Sequence, residues 1–205
     1  VNGLNMANST LNMYQRRAIE SILGRIQGNL TTAKDNTVLP NPPYVIFGPP
    51  GTGKTSTIVE AVFQASRFKA CGNIPLKILV CAPSNTAADV FLTRFSPFMN
   101  KSELFRCMAF TRDKKDVSET IHKYCNFDGE SNGYTSPSPE KLNTYQVVVA
   151  TCAMAGKLYN NGMNRHHFDV VVVDECGHAW ESEVVTASSF LLKPNGLLVM
   201  GGDPM

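Results

Sequence analysis

Eight residues constrain this chain more than any other feature: Gly48-Pro-Pro-Gly-Thr-Gly-Lys-Thr55, directly after the apolar run Tyr44-Val45-Ile46-Phe47. The pattern G-x-x-x-x-G-K-[ST], entered from a strand and left through a helix, is a phosphate-binding loop. Pro49 and Pro50 carry no N–H and shape the entry, so the donors to an anion come from the backbone of Gly51 to Thr55. The glycines let the chain turn tightly around the anion. The positive end of the following helix adds to the attraction. Lys54 is expected to reach the β- and γ-phosphates of a nucleotide, and the Thr55 hydroxyl to hold Mg²⁺. Gly48, Gly51, Thr52, Gly53, Lys54 and Thr55 are the predicted nucleotide contacts. The other reading, a glycine-rich turn that happens to precede a helix, would have to match every fixed position of the pattern by chance.

The rest of the chain repeats the same grammar. Ile78–Cys81 runs into Pro83-Ser84-Asn85 and a helix over Ala87–Phe95. Gln146–Ala150 runs into Thr151 and a short helix. Val170–Val173 runs into Asp174-Glu175 and a helix near Glu183–Leu191, and Leu197–Met200 runs into Gly201-Gly202-Asp203. Strands apolar at successive positions are buried on both faces. Their alternation with helices predicts an α/β fold with a parallel sheet and right-handed crossovers. Residues 1–10 read as a flexible tail. A helix is expected over 13–23, with Asn12 at its N-cap and Gln15 placed for a capping box. Residues 28–42 read as a loop, and 111–143 as a polar surface insertion.

The carboxylates at the end of the Val170–Val173 strand form a second motif. Asp174 is expected to hold Mg²⁺, and Glu175 to orient the attacking water or accept its proton. The competing reading, two solvated acids in a turn, leaves the apolar strand before them unexplained. For His178, a γ-phosphate contact and a surface position on the next helical turn both remain open.

Composition excludes several classes. Of 205 residues, 43% are apolar and 18% charged, with a net charge of +2, so the chain can bury a core and is neither collagenous nor disordered. That charge is unevenly placed: residues 1–101 have 10 basic and 4 acidic side chains, and the remainder 9 and 13. The basic part carries the residues that face the expected phosphates, and the acidic part carries the Mg²⁺-binding Asp174 and the water-handling Glu175. No apolar run approaches the roughly 20 residues of a membrane span, and the start has no signal-peptide pattern. The six cysteines are scattered without C-x-x-C spacing, as expected of reduced thiols in a cytoplasmic protein.

Taken together, the motifs resemble the first RecA-like domain of a superfamily 1 helicase, of the up-frameshift type and most closely the Armitage branch of RNA helicases. The stretches that carry the resemblance are Leu11–Gln15, Gly48–Thr55, Cys81–Asp89, Ala150–Gly156, Asp174–Ala179 and Gly202–Pro204. They stand in the family's order across nearly the whole chain. The resemblance implies a RecA-like sheet sandwiched between helices and an ATP-binding domain that drives translocation on single-stranded RNA and remodelling of duplexes or RNPs. Silencing-pathway partners, piRNA biology and ribonucleoprotein granules follow from the same likeness. It assigns adenine reading to Gln15, whose amide is also suited to capping Asn12. It assigns nucleic-acid backbone contacts to Ser84, Asn85, Thr86, Thr111, Arg112 and Thr151, and places Asp203 in the motif linking nucleotide state to the nucleic-acid groove. N-capping of the next helix is the other reading of Ser84–Thr86.

Many relatives carry Gln where His178 stands; His keeps a hydrogen-bonding side chain there, and members of the branch tolerate it. In this family the arginine fingers come from a second RecA-like domain, and such fingers are worth on the order of 10³–10⁵ in rate. The 205-residue chain alone is therefore expected to hydrolyse ATP negligibly. A DNA helicase of the same superfamily and a nucleotide-gated RNA clamp are the alternatives. A GTPase is not: Asn100-Lys101-Ser102-Glu103 ends in Glu and does not follow a buried strand.

Overall fold

In the computed structural model, which describes residues 5–32, 41–70 and 73–203, six strands form one parallel sheet. The strands are β1 (Tyr44–Phe47), β2 (Ile78–Ala82), β3 (Leu104–Arg106), β4 (Val147–Thr151), β5 (Phe168–Val173) and β6 (Leu192–Gly202). Their spatial order is β1-β6-β5-β2-β4-β3, and every adjacent pair is parallel. The helices are α1 (Met13–Thr32), α2 (Lys54–Ser66), α3 (Asn85–Phe95), α4 (Glu119–His122), α5 (Pro139–Thr144), α6 (Cys152–Asn160) and α7 (Glu181–Thr186). A π-helical turn, Ala187–Leu191, extends α7 into β6.

The continuous apolar runs are continuous because the sheet is covered twice. Ile78, Val80, Val147, Val149, Val170 and Val172 pack with α1, α2 and α3 on one face. The alternate residues Leu79, Cys81, Val148, Ala150, Val171 and Val173 pack with α6, α7 and the π-turn on the other. The period of two thus splits each run between two cores. β1, at the sheet edge, is covered on one face only, leaving Val45 and Phe47 exposed.

Several sequence expectations shift. The first helix continues to Thr32, because Ile26 extends the buried stripe of Ile19, Ile22 and Leu23 past Gly24. Residues 28–32 of the expected 28–42 loop are therefore helical, 41 and 42 are not, and residues 33–40 lie outside those described. β3 was not anticipated from sequence: it is three residues long and its third residue is a charged Arg106. Within 111–143 the chain forms a 3-10 turn, α4, a two-stranded ribbon (Phe127–Asp128 with Gly133–Tyr134) and α5. Residues 5–10, read as part of a tail, lie along α2, where the Ala7 and Asn8 amides donate to the Glu60 carboxylate at 2.8 and 3.0 Å.

Candidate functional site

The strand order determines which motifs meet. β1, β6 and β5 are neighbours, so their C-terminal ends bring together the Gly48–Thr55 loop, Gly202-Asp203 and Asp174-Glu175. These residues line a cleft of about 450 Å³ with Ser56, His178 and Arg94. Clefts at the carboxyl ends of parallel strands are where α/β folds bind ligands.

The loop is built as an anion cradle. Gly51 and Gly53 have φ of 79° and 84°, a region costly for any side chain. Gly53 is also the N-cap of α2, and no side chain caps it, so the first amides of this 13-residue helix are left to a ligand. Lys54 Nζ folds back onto the carbonyls of Gly48 and Pro49, the latter at 3.0 Å. Thr52 Oγ1 donates to Pro49 O at 2.8 Å and closes the loop.

The two motifs are joined directly. Thr55 Oγ1 donates to Asp174 Oδ2 at 2.8 Å. Asp174 is 3% exposed, and its other oxygen, Oδ1, is buried with no partner among the described residues. A buried carboxylate oxygen without a hydrogen bond is costly, and hard oxygen donors of this kind suit Mg²⁺. Among the described residues no cluster of three His, Cys, Asp or Glu could hold a metal. Close packing fixes Asp174: a Cβ on Gly201 would stand 2.5 Å from Oδ1 and 2.9 Å from Ile58 Cδ1.

Glu175 is exposed in the left-handed region, φ 51°, and starts the 3-10 turn Cys176–His178. His178 is exposed on that turn and lines the cleft; it is not part of α7.

Gln15 adopts the capping role. Its Oε1 accepts from Asn12 N at 2.8 Å while Asn12 Oδ1 accepts from Gln15 N at 2.9 Å, a reciprocal capping box. Its Nε2 donates to Thr52 O at 3.0 Å. Both ends of the amide are thus engaged, one on α1 and one on the phosphate loop.

The residues expected at nucleic acid lie on the other half of the same sheet edge, beyond β2, β4 and β3. Ser84 N-caps α3 through Ala87 N, and Thr151 N-caps α6 through Met154 N. These helix starts adjoin, since Ala82 and Thr151 are partners in the sheet. Ser84, Asn85, Thr86 and Thr111 are exposed. The halves touch where Asp174 N donates to Cys81 O at 3.0 Å.

Two of the expected contacts are engaged elsewhere. Arg112 clamps Asp89 through two nitrogens, and the Asn85 amide oxygen accepts from Arg106 at 3.0 Å. Arg106, with a side chain 0% exposed, also pairs with Asp89 at 3.0 Å and donates to Cys107 O at 2.6 Å. Burial lowers the Arg106 pKa, and the neighbouring Asp89 carboxylate opposes that. Sequence reasoning missed this Asp89–Arg106–Arg112 cluster. The only available signal was an arginine ending an apolar triplet.

The AAA-domain family model AAA_11 matches residues 10–126 and 111–205, together spanning nearly all of the chain. The chain belongs to this family. Its AAA domains are those of up-frameshift-like superfamily 1 helicases. Over 171 residues the chain is 42% identical to MOV-10 of Gallus gallus, a protein named as a helicase, covering 79% of this chain and 17% of that protein. It is 38% identical over 165 residues to the RNA helicase Mov10l1 of Homo sapiens, covering 80% and 13%. It is 30% identical over 215 residues to armi of Drosophila melanogaster, named as an RNA helicase, covering 96% and 17%. The chain therefore corresponds to less than a fifth of each of these relatives.

Among solved structures, the UvsW helicase of bacteriophage T4 superposes with a TM-score of 0.55 at 14% identity, over 98% of this chain and 56% of that one. RecG bound to a three-way DNA junction superposes with 0.50 at 17% identity, over 97% and 22%. These two likenesses carry the RecA-like fold alone. No helix among the described residues is long and apolar enough to cross a membrane.

Proposed function

We propose that this chain is the ATP-binding half of the active site of an ATP-dependent RNA helicase. The observation that carries the reading is the Thr55–Asp174 hydrogen bond, which joins the phosphate loop to the acidic box and leaves a buried carboxylate oxygen facing no partner among the described residues. Thr55 and Asp174 would hold Mg²⁺, and when bound the cation would offset the charge of the β- and γ-phosphates. The amides of Gly51 to Thr55 and the open start of α2 bind the phosphates. Lys54 exchanges its own loop's carbonyls for β/γ oxygens. Glu175 takes the proton of the attacking water, and His178 contacts the γ-phosphate. Gln15 braces the loop through Thr52; reading adenine would require it to release at least one of its present bonds.

Nucleic acid crosses the other half of the edge, over Ser84–Thr86, Thr111 and the starts of α3 and α6, with contacts directed at the backbone and little sequence preference. RNA is favoured because two of the relatives are named as RNA helicases; a single strand and a silencing setting rest on the family resemblance alone. Hydrolysis needs charge stabilisation from a second RecA-like domain, so this chain alone binds nucleotide and turns it over negligibly.

The test is the ATPase rate of a polypeptide carrying this chain together with a second RecA-like domain, measured with single-stranded RNA, with single-stranded DNA and with Glu175→Gln. RNA stimulation that Glu175→Gln abolishes supports the reading. Stimulation by DNA alone would make it a DNA helicase, and RNA binding unaffected by Glu175→Gln without turnover would make it a clamp.

A further inference from the structure

Arg94 stands in the last turn of α3 and lines the same cleft as Lys54, Asp174, Glu175 and His178. None of the motifs includes it. Its position follows from the helix period: Ala88, Phe91, Leu92 and Phe95 bury one face of α3, and Arg94 projects from the other, towards α2. There its Nη1 donates to Ser56 Oγ at 2.9 Å, and Ser56 immediately follows the Thr55 that bonds Asp174. The side chain is exposed. Among the described residues it forms no ion pair, whereas Arg106 and Arg112 both do. A guanidinium has five N–H donors, so most of those of Arg94 are unused.

Two clefts share this residue. Beside the phosphate cleft lies a second one, of about 370 Å³, lined by Ala7–Ser9, Ser56, Val59, Glu60, Arg94 and Phe98. Ser56 and Arg94 line both. Ser56 directly follows the Thr55 that bonds Asp174, so Ser56 and Arg94 stand one residue along α2 from the loop whose amides are expected to cradle the α- and β-phosphates.

On the reading of this cleft as the ATP site, we propose that Arg94 is a nucleotide contact. Its guanidinium exchanges Ser56 Oγ for the α-phosphate and ribose of the nucleotide. Because Arg94 lies at one end of α3 and Ser84–Thr86 at the other, the contact also anchors to the nucleotide the helix that bears the strand-binding residues. That helix is 11 residues long, about 16 Å at the rise of an α-helix. Asp89, between the two ends, is held by Arg106 and Arg112, which ties the middle of the helix to β3.

The experiment titrates fluorescent ADP and ATP analogues into the wild-type chain and into Arg94→Ala, Arg94→Lys and Lys54→Ala, with a thermal melt of each. Arg94→Ala is expected to weaken ADP and ATP by the same factor, about tenfold, the size of one hydrogen bond to a charged group. Its melting temperature is expected to be unchanged, and Arg94→Lys to recover part of the loss. Binding by Arg94→Ala within twofold of wild type overturns the assignment, while loss in Lys54→Ala keeps the nucleotide site. A loss confined to ATP would place the contact at the γ-phosphate and also overturns it. Absence of binding by the wild-type chain overturns both.

Discussion

Removing the Asp89 carboxylate tests whether the buried charge cluster holds the strand-binding loop in place. Asp89 accepts from Arg106, whose side chain is 0% exposed, and from Arg112, at 9%. Asp89→Ala leaves the Arg106 guanidinium buried with only Asn85 and the Cys107 carbonyl as partners. Breaking a buried pair on one side costs about 3–5 kcal/mol; the two surviving bonds put the expected cost at the low end, ~3 kcal/mol. For a domain of this size each kcal/mol moves the midpoint by about 2–4 °C, so thermal unfolding should shift down by roughly 6–12 °C. Arg106→Met alone should also destabilise, because it removes the donor to the Asn85 amide oxygen and leaves the Asp89 carboxylate with Arg112 as its one arginine partner. The double variant Asp89→Ala/Arg106→Met removes both charges and should lose less than the sum of the singles, by ~2 kcal/mol of coupling. Calorimetry of the four proteins measures this directly. An Asp89→Ala midpoint within about 2 °C of wild type, or strict additivity in the double variant, would refute the reasoning.

Other outcomes follow from single features. Gly53→Ala forces a side chain into a φ of 84° and sets its Cβ 2.3 Å from Gln15 Nε2; it should break the contact between α1 and the phosphate loop and abolish detectable nucleotide binding while the fold persists by circular dichroism. Gly201→Ala displaces the carboxylate of Asp174 and should remove the Mg²⁺ dependence of nucleotide affinity, read by titration with and without the cation. The pKa of His167 is lowered by burial and then by Lys77 and Lys193, and its Nε2 is buried without a partner. A histidine depressed in the fold contributes stability that is present above its unfolded pKa and lost as pH falls. Urea midpoints should therefore decline below about pH 6.5, and His167→Gln should flatten that limb. Burial pushes Cys107 up to about 12, so its contribution is lost as pH rises above the ordinary thiol range. The thiol should react with alkylating reagents only at the rate of global unfolding.

Much of the fold was legible because the sheet is buried on both faces. Val147–Ala150 and Val170–Val173 need no alternation to be read as strands, and the loop, cap and turn residues between them mark the helix starts. β3 was not legible: three residues ending in arginine read as loop, and only a carboxylate brought from α3 makes Arg106 tolerable in the interior. The extension of α1 was hidden by Gly24 and Gly28, whose low propensity is overridden by packing of Ile26. At the site, the phosphate loop and the acidic box were readable as local patterns. Their distance was not, since Thr55 and Asp174 are 119 residues apart and meet only because β6 inserts between β1 and β5. The family resemblance places Arg112 at nucleic acid, and its pairing with Asp89 was not legible in the sequence. Arg94 carried no local signal at all: it belongs to the cleft only through the packing of α3 on α2.

The central claim is that the phosphate loop and Asp174 form one Mg²⁺-dependent nucleotide site. Equilibrium titration of the chain with ATP, with Mg²⁺ and with EDTA, on wild type, Lys54→Ala and Asp174→Asn tests it most directly. The account predicts Mg²⁺-dependent binding to the wild type, loss of binding in Lys54→Ala, and binding that no longer responds to Mg²⁺ in Asp174→Asn. Wild-type binding indifferent to Mg²⁺, or binding that survives Lys54→Ala unchanged, would contradict it.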